Sequence, residues 1–115
     1  MANLDFDYVL VPAGTVVTAT GVGTAYELDD KDEYRGVLNV TAASGTSPTL
    51  AVTVQTSHDN GVTDPWRPVG SFPTASAVGA SPWQVFAGLD RWLRASWVVS
   101  GTTPSVTFGV AGEAV

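Results

Sequence analysis

The chain has 115 residues and no cysteine, which indicates a single domain and excludes both disulfide bonds and thiolate catalysis. Its formal net charge of −6 argues against binding to a phosphate backbone, so nucleic acid is not an expected partner. Only 14% of the residues are charged, so much of the surface must be neutral or apolar, which suits a protein that packs against neighbours.

The N-terminus carries neither a basic region nor a long apolar core, so we expect no signal peptide and synthesis in a cytoplasm. No apolar run reaches membrane-spanning length, and a membrane is not an expected partner. We predict that residues 1–10 form an N-terminal arm or a first edge strand, followed by a single domain over residues 11–115. Because an arm can add a strand to a neighbour's sheet, its apolar residues Leu4, Phe6 and Tyr8 are candidate interface residues.

Short runs rich in Val, Thr and aromatic residues alternate with turn formers along the whole chain, which predicts eight or nine short strands and no significant helix. The predicted strands cover residues 8–11, 16–20, 24–28, 35–43, 49–56, 66–72, 83–87, 91–99 and 105–111. This spacing is typical of an all-β, antiparallel β-sandwich or jelly roll, with a closed barrel as the second choice. The side chains expected between the two sheets are Val52, Val54, Leu93, Trp97, Val106, Phe108 and Val110.

One six-residue segment occurs twice with small changes. Ser44-Gly45-Thr46-Ser47-Pro48-Thr49 returns as Ser100-Gly101-Thr102-Thr103-Pro104-Ser105, and an alternating apolar run follows each copy. Glycine supplies a positive φ and proline fixes φ without donating to a ladder, so each copy predicts a hairpin turn. The strands before the two copies differ in facing by one residue, since Leu38 and Val40 align with polar residues. Either a bulge adjusts one hairpin or the copies are convergent, and we favour convergence.

Two polar stretches are candidates for a cation site or for catalysis. The charge run from Asp29 to Glu33 lacks the glycine and closing glutamate of an EF-hand loop, and we interpret it as a solvated loop. In a later long turn, Asn60-Gly61 supplies a positive-φ pair, and His58, Asp59 and Asp64 surround it. No second His or Cys completes a metal site, so turn capping explains these residues. We therefore predict no catalytic, cofactor-binding or metal-ligating residue.

Three further residues are candidates for an interface. The predicted strand 91–99 alternates apolar core positions with outward ones, which leaves Trp92 and Arg94 pointing outward. Tryptophan and arginine are enriched at contact surfaces. The alternative is that Trp92 packs under a loop and that Arg94 lies over an aromatic ring. Trp83, at the start of another predicted strand, is the third candidate.

Four segments carry a family resemblance: residues 44–57, residues 59–66, residues 86–95 and residues 100–104. Together they resemble small β-sandwich virion proteins of tailed bacteriophages, over roughly residues 37–112. The resemblance implies a structural protein encoded among head and tail genes that decorates capsids or sits in tails and fibres. It carries over no catalytic residue.

We therefore expect a capsid decoration protein that binds the outer surface of an assembled head, made in the cytoplasm of a bacterial host. Its expected partners are the major capsid protein, copies of itself, or both, with a trimer as the natural oligomer, and no cofactor. A tail-tube, tail-tip or fibre-associated module is the alternative within this class. A carbohydrate-binding module, with Trp66, Trp83 or Trp92 stacked on sugar rings of a surface glycan, is the alternative from another class. An enzyme with Asp59 and Asp64 as a glycosidase pair is the third.

Overall fold

A computed structural model describes residues 8–28 and 31–114 of the chain. Within these residues the fold is all-β and antiparallel, as predicted from the sequence. The strands are β1 Tyr8–Val17, β2 Gly21–Val22, β3 Tyr26–Glu27, β4 Glu33–Ser57, β5 Arg67–Ser71, β6 Gly79–Ala80, β7 Gln84–Ala87 and β8 Trp92–Ala114. The part of the chain that the structure describes has no helix of the length and apolar character needed to cross a membrane.

Strands β4 and β8 form the centre of the fold. They are 25 and 23 residues long and pair with each other from one end to the other, with Tyr34 opposite Ala114 and Ser57 opposite Trp92. A straight strand of β4's length would extend about 80 Å at the usual rise per residue. The greatest extent of the molecule is only 42 Å, so both strands must bend and the sheet folds back on itself.

The bend divides the sheet into two layers. The first layer contains β1, the C-terminal half of β8, the N-terminal half of β4, and the short β6 and β7. The second layer contains β2 and β3, the other halves of β8 and β4, and β5. Aromatic rings join the layers, with ring centroids 5.5 Å apart for Trp97 and Phe108 and 5.1 Å apart for Phe72 and Phe86. The result is a β-sandwich whose smallest extent is 19 Å.

The two copies of the repeated segment, residues 44–49 and 100–105, lie at the bend, and we call them the corner. They pair with each other, so that Thr46 lies opposite Thr102, and neither copy reverses the chain. The prediction that each copy closes a hairpin is therefore wrong. The same turn chemistry bends a strand when its partner comes from a distant part of the chain instead of from the adjacent run.

Each copy contacts the equivalent positions of the other copy. Gly45 and Gly101 have φ angles of 104° and 122°, and Ser47 and Thr103 also have positive φ, at 50° and 44°. A Cβ on Gly45 would lie 2.6 Å from the carbonyl oxygen of Thr103, and a Cβ on Gly101 would lie 2.8 Å from that of Ser47. Glycine is therefore required at both positions for its φ and for the close approach of the two backbones.

The core lies between the layers and contains all the side chains predicted for it. The buried residues are Val52, Val54, Leu93, Trp97, Val106, Phe108 and Val110, together with others such as Tyr34, Leu38 and Leu50. Apart from Ser57 at its end, β4 has its buried positions at even numbers on both sides of the corner, whereas on β8 they change there from odd to even. Register shifts at the corner accompany this change. Of the two alternatives for the one-residue offset between the copies, the structure thus has the bulged one.

Strand β1 joins two of the predicted strands into one. The pairing of β1 with β8 shifts between Val11 and Thr15, so the segment Pro12-Ala13-Gly14 forms a bulge where the sequence predicts a break. β1 begins at Tyr8 and thus crosses the predicted boundary between residues 10 and 11. The other residues of the predicted arm, including Leu4 and Phe6, lie outside the described residues.

Candidate interaction site

A cavity of about 410 Å³ opens on the outward side of the first layer, and we call it the apolar groove. Its floor includes Val37 and Asn39 of β4 with Gly109 and Ala111 of β8, and the bulge at residues 12–14 forms one wall. Apart from Asn39 and one threonine, every residue that lines it is Val, Pro, Ala or Gly. An apolar concave surface of this size can hold the side chains of another chain.

Small residues on β8 explain the groove. Outward positions of this strand carry Gly109 and Ala111, one on each side of the buried Val110, so the floor is low. The bulge of β1 crosses directly above it, since a Cβ on Gly109 would lie 2.9 Å from the Cα of Ala13. The sequence pattern does not predict this site, because Pro12-Ala13-Gly14 is typical of a gap between two strands. The available signal was the pair of small residues at alternate positions of a strand.

Tyr8, the first described residue, is held in place by two other tyrosines. Its ring packs edge-to-face against Tyr26, with centroids 6.3 Å apart. Its carbonyl oxygen accepts a hydrogen bond of 3.1 Å from the hydroxyl of Tyr34. Burial, and to a lesser degree the neighbouring Tyr26, raises the pKa of Tyr34 above its usual range, so this hydroxyl remains a donor. These two contacts fix the position of Tyr8 at the start of β1.

Trp92 and Arg94 lie on the outward side of the second layer. Trp92 is half-buried, and the guanidinium of Arg94 lies 4.4 Å above the ring centroid of Trp66. The Nε of Arg94 donates a hydrogen bond of 2.8 Å to Oε1 of Gln55, and desolvation lowers the pKa of Arg94. The alternative interpretation of Arg94, that it lies over an aromatic ring, is therefore confirmed.

The tryptophans do not form a flat platform. Trp66 has Arg94 over its ring, and a Cβ on Gly61 would lie 2.5 Å from its Nε1. Trp97 is buried in the core and donates a hydrogen bond of 3.2 Å to the carbonyl oxygen of Ala19. Trp83 is 46% exposed and directly precedes β7 of the first layer, whereas Trp92 is the first residue of β8 in the second layer. These two side chains therefore belong to different layers.

The polar turn after β4 is capped by its own side chains, as predicted. The carboxylate of Asp59 accepts hydrogen bonds from the hydroxyl and amide of Thr63 and from the amide of Asp64. These bonds, first of all that from the Thr63 hydroxyl, lower the pKa of Asp59 to about 2. The carboxylate of Asp64 accepts bonds of 2.7 Å from the His58 amide and 3.1 Å from Arg67. Both carboxylates thus serve to fix the turn.

In the charge run from Asp29 to Glu33, the first two residues lie outside the described part of the chain. Among residues 8–28 and 31–114, no three His, Asp or Glu side chains are grouped closely enough to hold a metal ion.

Comparison with known proteins identifies fold relatives and no sequence family. No protein-family model matches the chain, and neither does any curated protein sequence. The crystal structure of PirA is similar, with a TM-score of 0.56 and 11% identity, over 92% of this chain and 90% of that chain. A structure of the CBM22-1 and GH10 modules of Clostridium thermocellum endo-1,4-β-D-xylanase 10B, complexed with xylohexaose, has a TM-score of 0.51 and 13% identity.

The match to the xylanase covers 93% of this chain but only 28% of that chain, so this chain spans less than a third of its length. At these identities both likenesses concern the fold alone. They agree with the architecture described above, an antiparallel β-sandwich.

Proposed function

We propose that this chain is a non-catalytic structural protein of a phage virion, and specifically a decoration protein that binds the outside of an assembled capsid. The observation that carries the proposal is the apolar groove, which lies beside the strand that follows the N-terminal segment. Such a surface favours contact with another protein chain, because burying it removes apolar area from water. Residues 37–112 resemble virion proteins of tailed bacteriophages, and this resemblance is the reason for proposing a phage capsid as the binding partner.

The charged side chains support contact through apolar and main-chain groups. The arginines all have partners within their own chain, and these are Glu113 for Arg35, Asp64 and Asp90 for Arg67, Glu27 for Arg91, and Gln55 with Trp66 for Arg94. A partner that depended on basic side chains would have to replace these contacts. The low fraction of charged residues, 14%, is consistent with a protein that sits among many copies on a shell.

The direct test is to mix the purified protein with undecorated heads of the parent phage and to image the particles by electron cryo-microscopy. Ordered density at local three-fold or six-fold positions is the expected result. Density on tails would replace decoration with a tail-associated role, and bare heads and tails would reject the virion proposal as a whole.

The N-terminal arm gives a sharper version of this test. Deleting Ala2 to Asp7 should lower occupancy on heads. The melting temperature should stay unchanged, because the deletion removes no residue of β1, Tyr8–Val17. The matched pair of full-length variants is Leu4→Ser/Phe6→Ser against Asn3→Ser/Asp5→Ser. Each buried apolar side chain contributes roughly 1.5–3 kcal/mol, so the first variant, which loses two of them, should bind about a hundredfold more weakly or worse. Equal occupancy for both variants contradicts a role for the arm.

A second candidate function is carbohydrate binding. It is favoured by the fold likeness to the structure of the xylanase modules, which is complexed with xylohexaose, and by the exposure of Trp83. The positions of Trp66 and Trp97 count against it, since one ring is covered by Arg94 and the other is buried. A sugar would therefore have to stack on Trp83 or Trp92.

Calorimetric titration with xylohexaose, followed by a glycan array, separates the two candidates. Binding that is lost in Trp83→Ala or Trp92→Ala, and kept in the neighbouring surface variant Val85→Ala, would favour the carbohydrate function. No heat of binding at millimolar sugar and no signal on the array would reject it.

A further inference from the structure

We propose that Asn60-Gly61 is a site of spontaneous modification, at which the asparagine loses its side-chain amide, and that the fold suppresses this reaction by holding the main-chain amide of Gly61. The proposal goes beyond the proposed function, because it concerns a chemical change in the chain itself and involves no partner.

Asn60 is the only asparagine in the chain that is followed by glycine. Glycine has no side chain to hinder its own nitrogen, so an asparagine before it loses its amide readily. The main-chain nitrogen of Gly61 attacks Cγ of Asn60, the Cγ–Nδ2 bond breaks, and Nδ2 leaves as ammonia with the proton of the attacking nitrogen. Water then opens the cyclic imide at either carbonyl group, which yields aspartate or isoaspartate. In isoaspartate the main chain runs through Cβ.

The side chain that reacts is open to water in the native protein. Asn60 is exposed, and φ angles of 61° at Asn60 and 78° at Gly61 place both residues in the left-handed region. They form the centre of a turn, in which the amide of Val62 donates a hydrogen bond of 3.3 Å to the carbonyl oxygen of Asp59. Because solvent reaches Asn60, any protection has to act on the nitrogen of Gly61.

A buried hydroxyl holds that nitrogen. The amide of Gly61 donates a hydrogen bond of 2.8 Å to Oγ of Ser57, a residue that is 0% exposed. The same hydroxyl donates a bond of 2.7 Å to the carbonyl oxygen of Asp64 and accepts one of 3.3 Å from the amide of Asp59. One donated and two accepted bonds complete the capacity of a hydroxyl. Closure of the imide needs the nitrogen of Gly61 to turn towards the side chain of Asn60, so the bond to Ser57 must break first.

The indole of Trp66 restricts the same peptide unit. A Cβ on Gly61 would lie 2.5 Å from Nε1 and 2.8 Å from Cδ1 of Trp66, so the ring lies against the backbone of Gly61. The guanidinium of Arg94 lies 4.4 Å from the ring centroid of Trp66, and its Nε is bonded to Gln55 of β4. Rotation at Gly61 therefore displaces a ring that the sheet holds in place.

The product of the reaction disfavours the closed turn. The carboxylates of Asp59 and Asp64 already accept hydrogen bonds from main-chain amides of this turn. A carboxylate at position 60 adds a third negative charge beside them, and like charges repel. Isoaspartate also lengthens the main chain between Asp59 and Gly61. We therefore expect a molecule that has reacted to keep its turn open.

The first test compares the native protein with the same protein unfolded in guanidinium chloride, at one pH and temperature. Peptide mapping by mass spectrometry follows the conversion of Asn60 to aspartate and isoaspartate. Conversion should be slower in the native protein by about tenfold or more, because it requires local opening of the turn. Equal rates in the two states would overturn the proposal.

Asn39 is the internal reference for this measurement. It is also exposed, but it is followed by Val40, whose branched side chain hinders attack by its nitrogen. In the unfolded chain Asn60 should therefore convert much faster than Asn39. Conversion of Asn60 at no more than the rate of Asn39 would contradict the assignment of the site.

Ser57→Ala tests the role of the hydroxyl, with Thr56→Val as the matched control. The control removes a neighbouring buried hydroxyl whose partners are Trp92 and Asp90, so the bond to Gly61 remains. In native buffer Ser57→Ala should convert about tenfold faster than Thr56→Val. Equal acceleration in both variants would assign the reaction to global unfolding and would overturn the protection by Ser57.

Trp66→Leu provides a second variant, should Ser57→Ala fail to fold. It keeps the bond between Ser57 and Gly61 and removes the ring that lies against the backbone of Gly61. Conversion of Asn60 should again be faster than in Thr56→Val, and a rate no faster would contradict the restriction of this peptide unit by its surroundings. These measurements use no heads, so their outcome is independent of capsid binding.

Discussion

At the scale of single residues, Thr56 shows how a polar side chain can lie in the core with its hydrogen bonds satisfied. It is fully buried, donates a bond of 2.8 Å to the carbonyl oxygen of Trp92 and accepts one of 2.7 Å from the amide of Asp90. The hydroxyl thus ties the start of β8 and the turn that precedes it, at Asp90, to β4. Both partners are main-chain groups that would otherwise be deprived of water.

Replacing Thr56 by valine keeps the shape and removes the hydroxyl. We expect a loss of about 1–3 kcal/mol in the free energy of unfolding, because two buried backbone groups are left without a partner. Thr53→Val is the control, since the bond between Thr53 and Ser71 is exposed to water. Urea denaturation of the two variants measures the difference, and equal losses would contradict this role of Thr56.

Asp59 makes stability depend on pH. Its folded pKa is about 2, below its ordinary value of 3.8, so its contribution is complete above the unfolded pKa and is lost as the pH falls towards 2. Between about pH 5 and pH 2 the melting temperature of the native protein should therefore fall more steeply than that of Asp59→Asn. Thermal unfolding over this range checks it, and parallel curves for the two proteins would exclude the effect.

Single residues also show the limit of sequence reasoning. Alternation in residues 91–99 was enough to place Arg94 outward and Leu93 in the core. It could not identify Trp66 as the ring beneath Arg94, because that contact depends on β5 lying beside β4 in the second layer. The caps of the turn at Asp59 were predictable, since they involve neighbours in the chain.

At the scale of elements, the corner is the feature that the sequence identified and misassigned. Gly45 and Pro48 correctly indicate a sharp change of direction near residue 46. Whether that change reverses a strand or bends it depends on which strand pairs with it, and that partner lies more than 50 residues away. Local patterns therefore predict the strands well, and the order of the strands poorly.

Alanine at the corner should be far more harmful than alanine at an ordinary positive-φ glycine. Gly45→Ala and Gly101→Ala combine backbone strain with a clash against a carbonyl oxygen, and each should lose about 3 kcal/mol or more. Gly88→Ala, at a φ of 75° with no atom within 4 Å of the added Cβ, should lose only about 1 kcal/mol. Chemical denaturation gives all three values, and losses no larger at the corner would show that the two copies can move apart.

At the scale of the whole molecule, the pairing is dominated by residues distant in the chain. β4 and β8 are separated by the loops and strands between residues 57 and 92, and their 20 registered pairs can form only after that length of chain has closed. The apolar groove depends on the same closure, because its floor comes from both strands and its wall from β1.

Refolding should accordingly take milliseconds to seconds, as in other sandwiches with non-local strand pairing. Stopped-flow tryptophan fluorescence follows it, with Trp97 as a probe in the core. A Trp97→Phe variant identifies its share of the signal. Complete recovery of the native fluorescence in microseconds would mean that the folding nucleus consists of local contacts.

The continuity of β4 and β8 through the corner has a mechanical consequence. In a sandwich whose sheets are joined by surface loops, the faces are held together chiefly by side chains and can slide. Here each central strand belongs to both faces, so a pull on one face reaches the other along covalent main-chain bonds. Both strands pass from one face to the other at the corner. A force applied across the corner must therefore break the backbone pairing between β4 and β8 before the two faces can separate.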